Sequence, residues 1–231
     1  MEPDYSKIFN LKEDLPAPEQ ESELALVQQL DQLALKIKQI QSMGYKMSEE
    51  EMIPIYSLMD EVEDVPMAAA VLGFIFLMLS EYKAMATVFE KAIENHGEIP
   101  AFIFYSALAL KKLGMKENSL EHLQRLIGAG AKHYLVFMMA AEIQYELGQH
   151  RACISMCNLA VYENQEEKTE PFILMATCFK DLNETERMFE CFNRIEKLRG
   201  PMALQRELGS IYSEYGEMYE KVKGMMGGQG A

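Results

Sequence analysis

The chain of 231 residues has no tryptophan and only four cysteines. Cys153, Cys157, Cys178 and Cys191 all fall in the C-terminal third and form no CxxC pair, which fits reduced thiols better than a disulfide framework. Basic residues are also scarce. Against 36 Asp and Glu stand 22 Lys and Arg, for a formal net charge of −14 and a pI near 4.8. A groove that tracks nucleic-acid phosphates needs the opposite balance, and an anionic membrane surface is disfavoured for the same reason. Long apolar runs are missing too. The strongest, Met67 to Leu79, is too short to cross a bilayer, so no stable membrane insertion is expected. Glu2, Pro3 and Asp4 stand where a secretory signal would be positive, and a cytosolic chain is expected. No glycine-rich phosphate loop, GxSxG or HExxH occurs, so the sequence offers no catalytic residue, no cofactor site and no sign of an enzyme.

What is present suits helices. Hydrophobic residues make up 49% and charged residues 25%, a globular composition and not a disordered one. The acid is concentrated at the start, where residues 1–66 carry 15 Asp and Glu against 5 Lys and Arg. That bias either solubilises the N-terminal third or steers a basic partner towards it.

Residues 1–20 hold Pro3, Pro16 and Pro18 without apolar periodicity and read as a flexible acidic lead. From Glu21 the spacing of Leu26, Leu30, Leu33, Ile37 and Ile40 makes a narrow apolar seam on one helix, closed at Gly44. Ser48 and Glu51 form a capping box that opens a second helix. The seam can pack on the chain's own helices or pair with a second subunit, and residues 21–65 are read as N-terminal helices able to serve in dimerisation.

From Pro66 the chain repeats itself at a period of 34 residues. Gly73, Ala107 and Ala141 occupy one register, where two helices of a hairpin cross too closely for a larger side chain. Leu79-Ser80, Leu113-Gly114 and Leu147-Gly148 occupy the turn register. Phe89 and Ala92, Leu123 and Leu126, then Cys157 and Ala160 keep step in the following helix. These residues resemble the tetratricopeptide-repeat (TPR) pattern, with departures: Met85 replaces the small residue of the second helix, and Gly97, Ala131 and Gln165 stand where proline is usual.

The reading gives repeats at 66–99, 100–133 and 134–168, and a degenerate fourth at 169–199 with Ala176 at the small position and Leu182-Asn183 at the turn. A C-terminal capping helix follows over 200–223, with Leu204, Leu208, Ile211, Tyr215 and Met218 on one side, then a disordered tail over 224–231. The expected fold is all-α, a TPR solenoid of three to four hairpins with N-terminal helices and a capping helix.

His150, Cys153 and Cys157 share a helical face at spacings suited to metal ligands. The repeat register places both cysteines towards the partner helix, so no metal site is expected. In a TPR array the first helix of each repeat lines a concave groove. The positions concerned are Met67, Ala70, Phe74 and Leu77, then Ala101, Phe104, Leu108 and Lys111, then Leu135, Met138, Glu142 and Tyr145. They are mostly apolar, which suits an extended peptide with apolar anchors. The alternative is that the N-terminal helices or a second subunit fill the groove.

With Ala140-Ala141-Glu142 in the third repeat and Phe74 in the first, over roughly residues 50–170, the chain resembles the class II chaperones of bacterial type III secretion, the LcrH/SycD family. The resemblance implies a bacterial cytoplasmic chaperone that holds hydrophobic translocator proteins before export and forms a homodimer through its N-terminal helices. The fourth hairpin and the extra C-terminal helix depart from that family. A TPR scaffold joining folded proteins is the other reading.

Overall fold

The structure, a computed structural model, describes residues 14–163 and 168–227. Most of the acidic lead (1–13), residues 164–167, and the last four residues of the tail lie outside it. Every regular element among the described residues is a helix. The chain divides into two compact units, up to Ala131 and from Lys132 onward.

In the first unit, α1 (Glu21–Ser42) and α2 (Glu49–Glu61) precede two hairpins, α3 (Pro66–Leu79) with α4 (Tyr82–His96) and α5 (Pro100–Lys112) with α6 (Lys116–Gly128). Ser48 caps α2 by accepting from the Glu51 N–H, while the Glu51 carboxylate accepts from the Ser48 N–H. Pro66 and Pro100 each begin a first helix, where the missing N–H leaves no bond unmade. In the second unit the hairpins are α7 (Tyr134–Glu146) with α8 (His150–Glu163) and α9 (Glu170–Asp181) with α10 (Thr185–Arg199). Then come α11 (Pro201–Leu208) and α12 (Ser210–Gly227).

All four hairpins turn in the same way. Ser80, Gly114, Gly148 and Asn183 are left-handed, with φ of 62°, 78°, 72° and 57°. In each, that residue's N–H reaches the carbonyl three residues back and the next N–H reaches five back, as in Glu81 to Phe76 and Glu184 to Phe179. This is the Schellman closure, and it satisfies carbonyls that the helix end would otherwise strand. Glycine enters the left-handed region freely and asparagine tolerates it, whereas serine is strained there. Ser80→Gly is therefore expected to stabilise the first unit by about 0.5–1 kcal/mol, read as a higher urea midpoint at unchanged m-value. A lower midpoint would contradict the assignment.

The small-residue register sits at the hairpin crossing. A Cβ built on Gly73 would lie 2.3 Å from Cζ of Phe89. Phe89 is itself fully buried, stacked on Tyr105 at 5.6 Å and close to Phe102 at 6.1 Å. In the second hairpin the buried Ser119 hydroxyl donates to the Ala107 carbonyl at 2.7 Å, so the two helices meet through a small side chain and a backbone group.

Two C-terminal expectations are corrected. The capping segment at 200–223 is two helices, because Gly209 adopts φ 49° and ψ −113°, a conformation that side-chain-bearing residues avoid. The break shifts the buried face: Leu204, Leu208 and Ile211 are inside as expected, but Tyr219 is buried while Met218 is half exposed. The tail expected to be disordered from 224 is helical through Gly227. Tyr219 packs against Phe189 and Phe192 at 5.5 and 5.4 Å and donates to Glu196, which also pairs with Lys223. Those bonds lower the Glu196 carboxyl below its ordinary range, Lys223 first.

Candidate protein-binding surfaces

The twelve groove positions divide between the units, eight in the first and four in the second, with Ala101 buried and Leu135 half-buried. Ala70, Phe104 and Leu108 are wholly buried, and Met67 and Met138 are at most 9% exposed. Phe74, Leu77, Lys111, Glu142 and Tyr145 are half-buried. Phe74 sets its ring edge against Tyr105 at 4.6 Å and so faces α5. The Tyr145 ring lies 5.6 Å from His150, within its own hairpin. Burial raises the Tyr145 hydroxyl above its ordinary value, helped by Asp181.

Little of the groove expected at these positions is open: six of the twelve are buried and six half-buried. The physical reason was present in the composition. An exposed groove keeps a polar side, but α3 and α5 are apolar all round, and such a helix is covered all round. On α3 the cover comes from within the unit. α4 and α5 pack on it, and α1 and α2 lie against it as well. The Gln41 side chain at the end of α1 donates to the Met78 carbonyl at 2.6 Å. Of the α1 seam, Leu30 and Ile37 are buried, Leu26, Leu33 and Ile40 are half-buried, and Val27 joins them inside.

The surface that the sequence reading missed lies between the two N-terminal helices. α1 and α2 border a cleft of about 330 Å³. Leu33 and Lys36 line it from α1, with Pro54, Ile55 and Leu58 from α2 and Met47 from the connection. The signal was available, since Leu33, Ile55 and Leu58 are apolar positions on consecutive helices. The spacing alone does not say that the helices splay.

His150 does not join the cysteines. Its Nδ1 points to Asp181 at 3.9 Å, while Cys153, Cys157, Cys178 and Cys191 are all buried in one apolar core with Phe179, Met188 and Phe192. Among the described residues no group of three or more His, Cys, Asp or Glu could hold a metal ion. Hydrogen bonding to Cys157 raises the Cys153 thiol, hydrogen bonding to Cys153 raises Cys178, and burial pushes Cys191 up to about 12. Thiols held protonated and out of solvent do not attack. All four are expected to resist a soluble disulfide reagent in the native protein and to react once the chain is unfolded in guanidinium. Rapid native labelling of any of them would contradict this burial.

No known family model matches the sequence, and no curated protein matches it. Solved structures do. A MamA protein superposes with a TM-score of 0.59 at 12% identity, covering 71% of this chain and 88% of that one. MamA from residue 41 onward, of Desulfovibrio magneticus RS-1, gives 0.61 at 14% identity, covering 75% and 94%. YrrB, described as a TPR protein with an unusual peptide-binding site, gives 0.57 at 14% identity, covering 69% and 82%. The fold is a tetratricopeptide-repeat solenoid, all-α. At these identities the likeness carries the fold alone. No helix among the described residues is long and apolar enough to cross a membrane.

Proposed function

We propose that this TPR chain is a non-catalytic adaptor that holds another protein within a larger assembly. The observation that carries the reading is the closure of its first-helix face: Ala70, Phe104 and Leu108 expose no surface to an extended client. A partner then meets the outer surfaces, where side chains such as Ile53 and Met202 are 64% and 81% exposed. The test is cross-linking in the native cell, followed by hydrogen exchange on the complex. A partner that stays protected as a folded domain supports the adaptor. A partner that exchanges as an extended chain contradicts it.

The second reading is the cytoplasmic type III secretion chaperone, with a hydrophobic translocator as client and a homodimer as its resting form. One observation favours it. The apolar seam of α1 lies on α3 as a client's apolar segment would, so α1 acts as a placeholder that the client displaces. Detaching α1 with Ile37→Glu should then strengthen binding of a translocator peptide severalfold. Unchanged affinity would sink this reading without touching the adaptor.

A further inference from the structure

We infer that His133 is a pH-sensitive latch on the second unit, holding the first turn of α7 while its imidazole is neutral and releasing it on protonation. His133 is the N-cap of α7, and its Nδ1 accepts from the Leu135 N–H at 3.1 Å. Only the neutral ring with its proton on Nε2 offers that lone pair, because an imidazolium donates from both nitrogens. Protonation therefore removes the side-chain cap outright and leaves the Leu135 N–H without its acceptor. It also sets a cation at the positive end of the helix, where like charge is unfavourable. A serine or asparagine cap keeps its acceptor at every pH, so the choice of histidine is what makes this turn sensitive.

The surroundings push the same way. His133 is half-buried, and burial lowers its pKa below the ordinary value of about 6.5, with the Lys168 charge adding to the effect. The Lys168 ammonium lies 4.1 Å from the centre of the Tyr134 ring, the residue next to the cap. Burial first, then the carboxylates of Glu170 and Glu142, raises the Tyr134 hydroxyl. α8 packs along α7 and ends at Glu163, Glu166 and Glu167 follow outside the described residues, and Lys132 precedes the cap. Since the folded pKa is depressed, the unfolded chain takes up the proton first as pH falls. The stability that the cap contributes is therefore full above pH ~6.5. It declines below that value and is lost once the pH has passed the lower, folded pKa.

The latch goes beyond partner holding and does not depend on which surface a partner takes. Its test follows the His133 ring and the Leu135 amide by NMR from about pH 8 to about pH 5. The full chain is used, so every nearby carboxylate is present. The ring should titrate with a midpoint below about 6.5, and the Leu135 amide should shift with the same midpoint. In parallel, amide exchange over 134–146, corrected for the intrinsic effect of pH on exchange, is compared with that of His133→Asn, a cap that does not titrate. Between about pH 7.5 and about pH 5.5, opening of α7 should grow severalfold more in the wild type than in the variant. The ring and amide titrations use the wild type alone and decide the matter even where the variant does not fold. A midpoint at or above about 6.5, a Leu135 amide that ignores the ring's titration, or equal pH dependence of opening in wild type and folded variant would overturn the proposal.

Discussion

Gly73→Ala is expected to destabilise the first unit by about 1–3 kcal/mol, although alanine is the better helix former. The gain in helix propensity is close to 1 kcal/mol. The added methyl would lie 2.3 Å from Phe89 Cζ and 2.4 Å from Cε2, far inside van der Waals contact. A flexible tip could swing away, but this ring is fully buried, with Tyr105 stacked on it and Phe102 beside it. Relief therefore requires the two helices of the hairpin to separate, which loosens packing along their whole length. Shortening the opposing side chain should remove most of the conflict. Phe89→Leu in the Gly73→Ala background is expected to cost less than in the wild type, a coupling that chemical denaturation of the four proteins measures. Additive effects would show that the crossing is not where the methyl is felt.

The second large effect is expected at Leu30. Leu30→Glu places a carboxylate at a position with no exposure, on the face of α1 that lies against α3. Keeping it there costs about 3–5 kcal/mol. α1 is held to the rest of the unit mainly through this seam and the Gln41 bond to Met78, so the less costly response is for α1 to leave. Amide exchange over 21–42 should approach that of an unfolded segment, while 116–128 keeps its protection. An unaltered exchange pattern, with a halved molar mass in sedimentation, would instead mean that the seam serves a dimer.

Much of the fold was legible because the repeat speaks at several registers at once. Gly73, Ala107 and Ala141 mark the crossings, and Ser80, Gly114 and Gly148 mark turns whose left-handed backbone follows from the need to close a helix in one residue. Gly209 was not legible. Apolar spacing runs through it from Leu204 to Ile211, and a glycine inside a periodic stretch signals a break only when its dihedral angles are known.

How far the first-helix face is open to solvent was not legible in the sequence. Repeat register tells which way a residue points, whereas its neighbours decide whether that direction is solvent. The apolar character of Ala70, Phe104 and Leu108 fits a peptide groove and fits cover by neighbouring helices equally, and their complete burial is what the structure adds. The cleft beside α1 escaped notice because it depends on the angle between two helices. Neither sequence encodes that angle in its spacing.

We propose above that this chain works by holding another protein. It is tested most directly by cross-linking it in its native cell, isolating it under denaturing conditions and weighing the products by mass spectrometry, with Leu33→Arg and Leu30→Glu in parallel. A distinct heterologous protein is expected, cross-linked at a defined set of residues, with a yield that changes in at least one of the two variants. Recovery of the chain alone, or of the same scattered products from the wild type and both variants, would contradict it.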